Sequence, residues 1–194
     1  MKTNYYIELR NLLLDKGKEF SSRDIDDLPK VKGIYIMFEN GQYDDDRKAR
    51  IIRVGKADRN FQTRLEQHFF GTIKNSVFRK HILSALLNKK IDKKYNATKN
   101  EEQKITDFLQ NITFRLVRVP KLLTCEELES MCIRTVAKHS KEELKSPTLD
   151  KWIGWNCTNN NVKGFHIWNS DDVNYKNELD AYYFDLIECG LVRK

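Results

Sequence analysis

VKGIYIMFENGQYDDDRKARIIRVGKADRNFQTRLEQH, residues 31–68, contains two β-rich runs, 31–38 and 50–55, separated by a loop of Asn, Gly and Asp. Two such runs around turn-forming residues read as an antiparallel hairpin. In Gly33-Ile34-Tyr35-Ile36-Met37-Phe38 the alternation places Ile34, Ile36 and Phe38 on one face and Tyr35 and Met37 on the other. Gly55 then opens a polar segment into 63–68, where the period turns helical and Arg64 and His68 stand one turn apart on one face. A tyrosine, a glycine turn and an Arg/His pair thus converge at one end of a hairpin, a combination suited to chemistry on a phosphate.

Upstream, 5–16 carries Ile7, Leu9, Leu12 and Leu13 at helical spacing, with Gly17 where a C-cap belongs, and a polar connector runs from Phe20 to Pro29. Asp44-Asp45-Asp46 in the hairpin loop reads as a solvated turn, because metal-loop ligands are spaced so as to point inward together. Downstream, Phe78, Ile82, Leu83, Leu86 and Leu87 make the apolar stripe of a helix over 77–88. The basic run 89–95 follows, then a loop at 96–100 and a short helix over 101–111. Residues 112–119 form a third strand stopped by Pro120, with exposed arginines beside the hairpin. Thr124 and Glu127 make a capping box for a helix to about Lys138, with Leu128, Met131, Cys132 and Thr135 toward the core and Glu129 on the flank. Beyond Ser146-Pro147, the Trp/Asn-rich stretch 152–169 is expected to pack as an irregular cap over the sheet, and a terminal helix over 172–189 ends at Gly190. The fold class is therefore α/β, of the α+β kind: a small three-stranded antiparallel sheet flanked by helices.

At 194 residues the chain suits one domain: a core over 31–138, a helical extension over 1–30, and a cap with a last helix over 139–194. No apolar run approaches the ~20 residues of a membrane span, and the opening residues lack the apolar stretch of a signal peptide. The expectation is a soluble cytoplasmic protein with no membrane partner. Cys125, Cys132, Cys157 and Cys189 fall at no metal-site spacing and read as reduced thiols. A net charge of +7 and a pI near 9.1 favour a polyanionic partner without naming one.

The ordered motifs resemble the GIY-YIG endonucleases. Gly33-Ile34-Tyr35 stands as the first tripeptide and Arg53-Val54-Gly55 in the place of the second; Arg64 and His68 follow in the next helix, and Glu129 in a later LExxxI segment. The tail, with Trp152-Ile153-Gly154 and His166-Ile167-Trp168-Asn169, is similar to small stand-alone members related to restriction enzymes. Arg53 departs from the family, which has a tyrosine there; Asn156 is the nearest substitute for an asparagine that usually follows the glutamate. Singly, Tyr35 reads as strand packing, Arg64 and Glu129 as surface ion-pair members, and His68 as a satisfied histidine. Their joint occurrence in the family's order sets them apart.

The resemblance implies a metal-dependent endonuclease acting on double-stranded DNA, of restriction or defence type, with a catalytically impaired nucleic-acid-binding module as the alternative. Glu129 would hold one divalent ion, Mg²⁺ or Mn²⁺. Arg64 would clamp the phosphate, Arg53 and Lys56 would add positive charge, and either Tyr35 or His68 would act as base. Arg79, Lys80, Lys89, Lys90, Lys93 and Lys94 would contact DNA phosphates, and Asn156 would reach base edges. A homodimer would match a palindromic site.

Overall fold

The computed structural model describes residues 4–121, 123–142, 151–173 and 178–194. The expected Ser146-Pro147 connector and part of the expected terminal helix lie outside them. Three antiparallel strands, β1 (Gly33–Tyr43), β2 (Ala49–Ala57) and β3 (Ile112–Arg118), form one sheet in the order β2-β1-β3. The α+β architecture expected from the sequence is the one observed.

β1 is central and buried on both faces, so its run of five apolar or aromatic side chains, 34–38, needs no polar side. The alternation decides which layer each residue joins. Ile34, Ile36 and Phe38 pack with α1 (Tyr5–Lys16) and, on the same face, with α5 (Cys125–Glu142) and α7 (Ala181–Gly190). Tyr35 and Met37 pack with α2 (Phe61–Phe69), α3 (Val77–Leu87) and α4 (Lys99–Leu109), together with Trp152 and Trp168. Both clusters draw on residues before position 30 and after position 150. Two short elements in the tail, a 3-10 turn (Ile153–Asn156) and α6 (Asn160–Phe165), bring the tryptophans under the sheet.

Helix starts follow local chemistry. Asn60, Ser76 and Thr98 cap α2, α3 and α4 through their side chains, and the capping box expected at α5 is formed, Thr124 accepting from Glu127 N–H while the Glu127 carboxylate accepts from Thr124. α4 begins two residues before the expected start because Thr98 and Glu101 make a second such box.

Three readings are corrected. The hairpin loop is shorter than 39–48, since β1 continues to Tyr43. Asp44 is not solvated: it is 4% exposed, takes a 2.6 Å hydrogen bond from Tyr6, and pairs with Arg10, which also binds Asp46. Of the β3 arginines Arg118 is exposed, but Arg115 turns inward to Glu19 at 2.8 Å and to the Leu13 carbonyl.

The outer edge of β2 is closed by the distant tail. Trp168 N–H donates to the Ile52 carbonyl at 2.8 Å, where the β1–β2 register shifts. Asn169 then accepts from Val54 N–H at 3.1 Å and donates to the Val54 carbonyl at 2.8 Å. An amide side chain here mimics a strand partner, so the edge presents no free ladder. Among the described residues no helix is long and apolar enough to cross a membrane, and the four cysteines are free thiols, Cys189 alone exposed.

Candidate active site

β1 and β2 place Tyr35 directly opposite Gly55. The pairing explains the glycine: a Cβ at position 55 would lie 2.1 Å from the Tyr35 hydroxyl and 2.2 Å from Cζ. Gly33 is confined in the same way, by the Phe61 ring and the Val117 carbonyl, each 2.3 Å from a Cβ. Gly55→Ala is expected to push the tyrosine out of place, costing about 1–3 kcal/mol of stability; a drop in denaturation midpoint is the measurement.

With the ring held over Gly55, the Tyr35 hydroxyl is 2.5 Å from His68 Nε2 on α2, and both residues are buried. His68 Nδ1 is 2.7 Å from Ser76 Oγ. Burial holds the His68 ring well below the usual histidine range, and the charges of Arg53, Arg64 and Arg79 push the same way, so the ring is neutral under ordinary conditions.

Arg64 is half-buried on α2, its guanidinium 3.1 Å from Gln67 Oε1. With Lys56, Asp58, Arg59, Asn60, Thr63 and Gln67 it lines an open groove of about 400 Å³. Lys56 ties the groove to α5: its backbone N–H donates to Glu129 Oε1 at 2.9 Å, while its ammonium lies 3.4 Å from Glu126 and 3.9 Å from Asp58. Burial pushes the Glu129 carboxyl up to about 7; Arg53, Lys56 and the Lys56 N–H oppose the rise, and Asp172 adds to it.

Tyr35 and His68 are thus joined directly, Lys56 and Glu129 are joined directly, and Arg64 shares the groove with Lys56. Arg53 faces inward: its Nη1 donates to the Trp168 carbonyl at 2.5 Å and its guanidinium lies 4.6 Å from the Phe78 ring centroid. It acts on His68 and Glu129 through its charge.

The expected phosphate contacts separate into two sets. Lys89, Lys90, Lys93 and Lys94 are exposed, and Lys80 partly so, but the lysine run follows the C-terminal end of α3, roughly 16 Å of helix rise from Ser76. Arg79 is a correction. It is 1% exposed, bonded to Glu102 at 2.8 Å and to the last carbonyls of α2, His68 and Phe69, each at 3.1 Å. A cation at a helix C-terminus complements the dipole, so Arg79 braces α2 rather than reaching DNA. Asn156 is exposed at the end of the 3-10 turn.

Sequence reasoning missed Ser76, which the structure shows to be the N-cap of α3 as well as a partner of His68, and Asn169, whose partner lies 115 residues away.

Glu129 suits a hard divalent ion. Its Oε2 accepts no hydrogen bond from the described residues, and its raised carboxyl is one that a nearby positive charge would ionise. Among the described residues no group of three or more His, Cys, Asp or Glu converges on a metal position. One carboxylate completed by waters and phosphate oxygens is an accepted Mg²⁺ environment.

A model of the GIY-YIG domain family matches residues 2–193. The chain belongs to the GIY-YIG family. No curated protein and no solved structure matches it. The family match takes in both ends of the chain as well as the motif-bearing centre, consistent with a GIY-YIG sheet whose edge is completed by residues 168 and 169.

Proposed function

We propose that this GIY-YIG protein is a divalent-metal-dependent endonuclease that hydrolyses phosphodiester bonds of double-stranded DNA, in a restriction or defence role. The observation that carries the reading is the buried Tyr35–His68 hydrogen bond near a groove lined by Arg64 and Lys56, with Glu129 anchored on the Lys56 backbone. Hydrolysis needs a proton taken from water, charge neutralised on the phosphoryl oxygens, and a stabilised leaving oxygen. Tyr35 takes the water proton, with His68 bonded to its oxygen. Arg64 clamps the non-bridging oxygens with its planar fork, and Lys56 adds charge from the groove wall. Glu129 would hold Mg²⁺ or Mn²⁺, which would supply Lewis acidity at the phosphate. Lys80, Lys89, Lys90, Lys93 and Lys94 serve as more distant phosphate contacts, Asn156 as a base-edge contact, and a two-fold dimer in the cytoplasm allows both strands of a palindrome to be cut.

Supercoiled plasmid with Mg²⁺ is expected to be nicked and linearised, and EDTA to stop it. One observation favours a second reading, a module that binds nucleic acid without cutting: Arg53 replaces the family's second tyrosine and is engaged by Trp168 and Phe78. Salt-dependent binding with no nicking across varied DNA sequences would select that reading.

A further inference from the structure

His68 is hydrogen-bonded through both ring nitrogens, and its second partner, Ser76, has no role in the mechanism above. The buried ring is bonded to Tyr35 from β1 and has Phe78 edge-on at 5.7 Å, and the charges of Arg53 from β2, Arg64 from α2 and Arg79 from α3 act on it. A neutral imidazole has one donor and one acceptor nitrogen. Ser76 is as enclosed as the ring, 2% exposed. As the N-cap of α3 its Oγ accepts the Arg79 N–H at 3.2 Å, which occupies a lone pair and leaves the hydroxyl proton to be placed. Among the described residues its one acceptor within reach is His68 Nδ1 at 2.7 Å.

The chain Ser76–His68–Tyr35 therefore holds three protons, two hydroxyl and one ring, for two hydrogen bonds. While all three are present, one hydroxyl proton has no acceptor in the protein, and an unpaired buried hydroxyl is unfavourable. The arrangement that satisfies Ser76 has its O–H donating to Nδ1 and Nε2–H donating to the Tyr35 oxygen, which leaves the Tyr35 proton for an oxygen brought in with the substrate. As that proton is passed on, the Tyr35 oxygen takes one from the attacking water.

We propose that Ser76 is a positioning residue which, by donating its hydroxyl to Nδ1, holds His68 as the Nε2–H tautomer and makes the ring a hydrogen-bond donor to Tyr35 rather than the base. The catalytic consequence rests on the nuclease reading; the tautomer does not.

The test is the ¹⁵N imidazole spectrum of the full chain at the pH of greatest cleavage or, if nothing is cut, at pH 8, with His68 assigned by the signals lost in His68→Gln. The wild-type ring is expected to carry its proton on Nε2. Ser76→Gly deletes the hydroxyl yet leaves a residue that serves as an N-cap. It is expected to move the ring toward the Nδ1–H form and to lower kcat about tenfold to a hundredfold, with little change in KM. Ser76→Thr, which keeps hydroxyl and cap, is expected to restore both. A wild-type ring protonated on Nδ1, or a tautomer indifferent to Ser76→Gly, overturns the proposal. A ring that switches in a protein that never cuts DNA supports the positioning role and removes the nuclease reading alone.

Discussion

Glu129→Gln is expected to lower metal-dependent cleavage at least about a thousandfold, roughly 4 kcal/mol of transition-state stabilisation, while making the metal-free protein more stable at pH 8. The amide keeps an oxygen for the Lys56 N–H bond, so the local geometry has no reason to change. The stability gain follows from the carboxyl's rise from 4.5 to about 7 on folding. Between those values the folded state binds the proton more tightly than the unfolded chain, so wild-type stability falls as pH rises through the window. The loss is complete above about 7 and amounts to ~3 kcal/mol at most, before solvent screening. The glutamine does not titrate; its advantage should be absent at pH 4 and full at pH 8. Mg²⁺ should raise the wild-type melting temperature at pH 8 and leave the variant's unchanged. Melting curves at the two pH values, with and without Mg²⁺, check all of this. A variant that still cuts, or gains nothing at pH 8, contradicts the role given to Glu129.

Arg64→Ala should be of comparable severity for cleavage and nearly silent for stability. The guanidinium lines the groove and bonds to Gln67 on the same helix, a half-buried contact whose loss costs a few tenths of a kcal/mol. An arginine that neutralises charge on a phosphoryl group commonly contributes about a thousandfold or more. Arg64→Lys should recover only part of it, because an ammonium cannot form the planar two-point contact. Single-turnover cleavage with thermal melts separates the two effects; a large loss of stability in Arg64→Ala would show that the side chain holds the fold instead.

The elements were legible where the pattern was local. Period-two alternation in β1 sorted Ile34, Ile36 and Phe38 from Tyr35 and Met37, and the faces observed are those two sets. The capping box at Thr124 also lies within short reach of the chain. What stayed hidden was set by partners far away in sequence. Asp44 looked solvated because Arg10, 34 residues earlier, is not part of its neighbourhood on paper. Arg79 looked like a phosphate ligand because basic neighbours surround it, and only Glu102, 23 residues on, turns it inward. Ser76 went unread; that its hydroxyl meets His68 depends on how α2 and α3 are placed. The motif residues were found as a set, whereas the contacts that orient them were not.

The amide clasp between Asn169 and Val54 bears on how the protein is made. A ribosome that has finished β2 must add more than a hundred residues before Asn169 exists, the two being 115 positions apart. At ordinary synthesis rates that takes roughly 6 to 23 s. Throughout that interval the nascent sheet presents an unpaired border carrying Ile52 and Val54, a template for pairing with another chain. Late-arriving residues of the tail therefore act as a guard on the emerging polypeptide, and weakening them should show first in the yield of soluble protein.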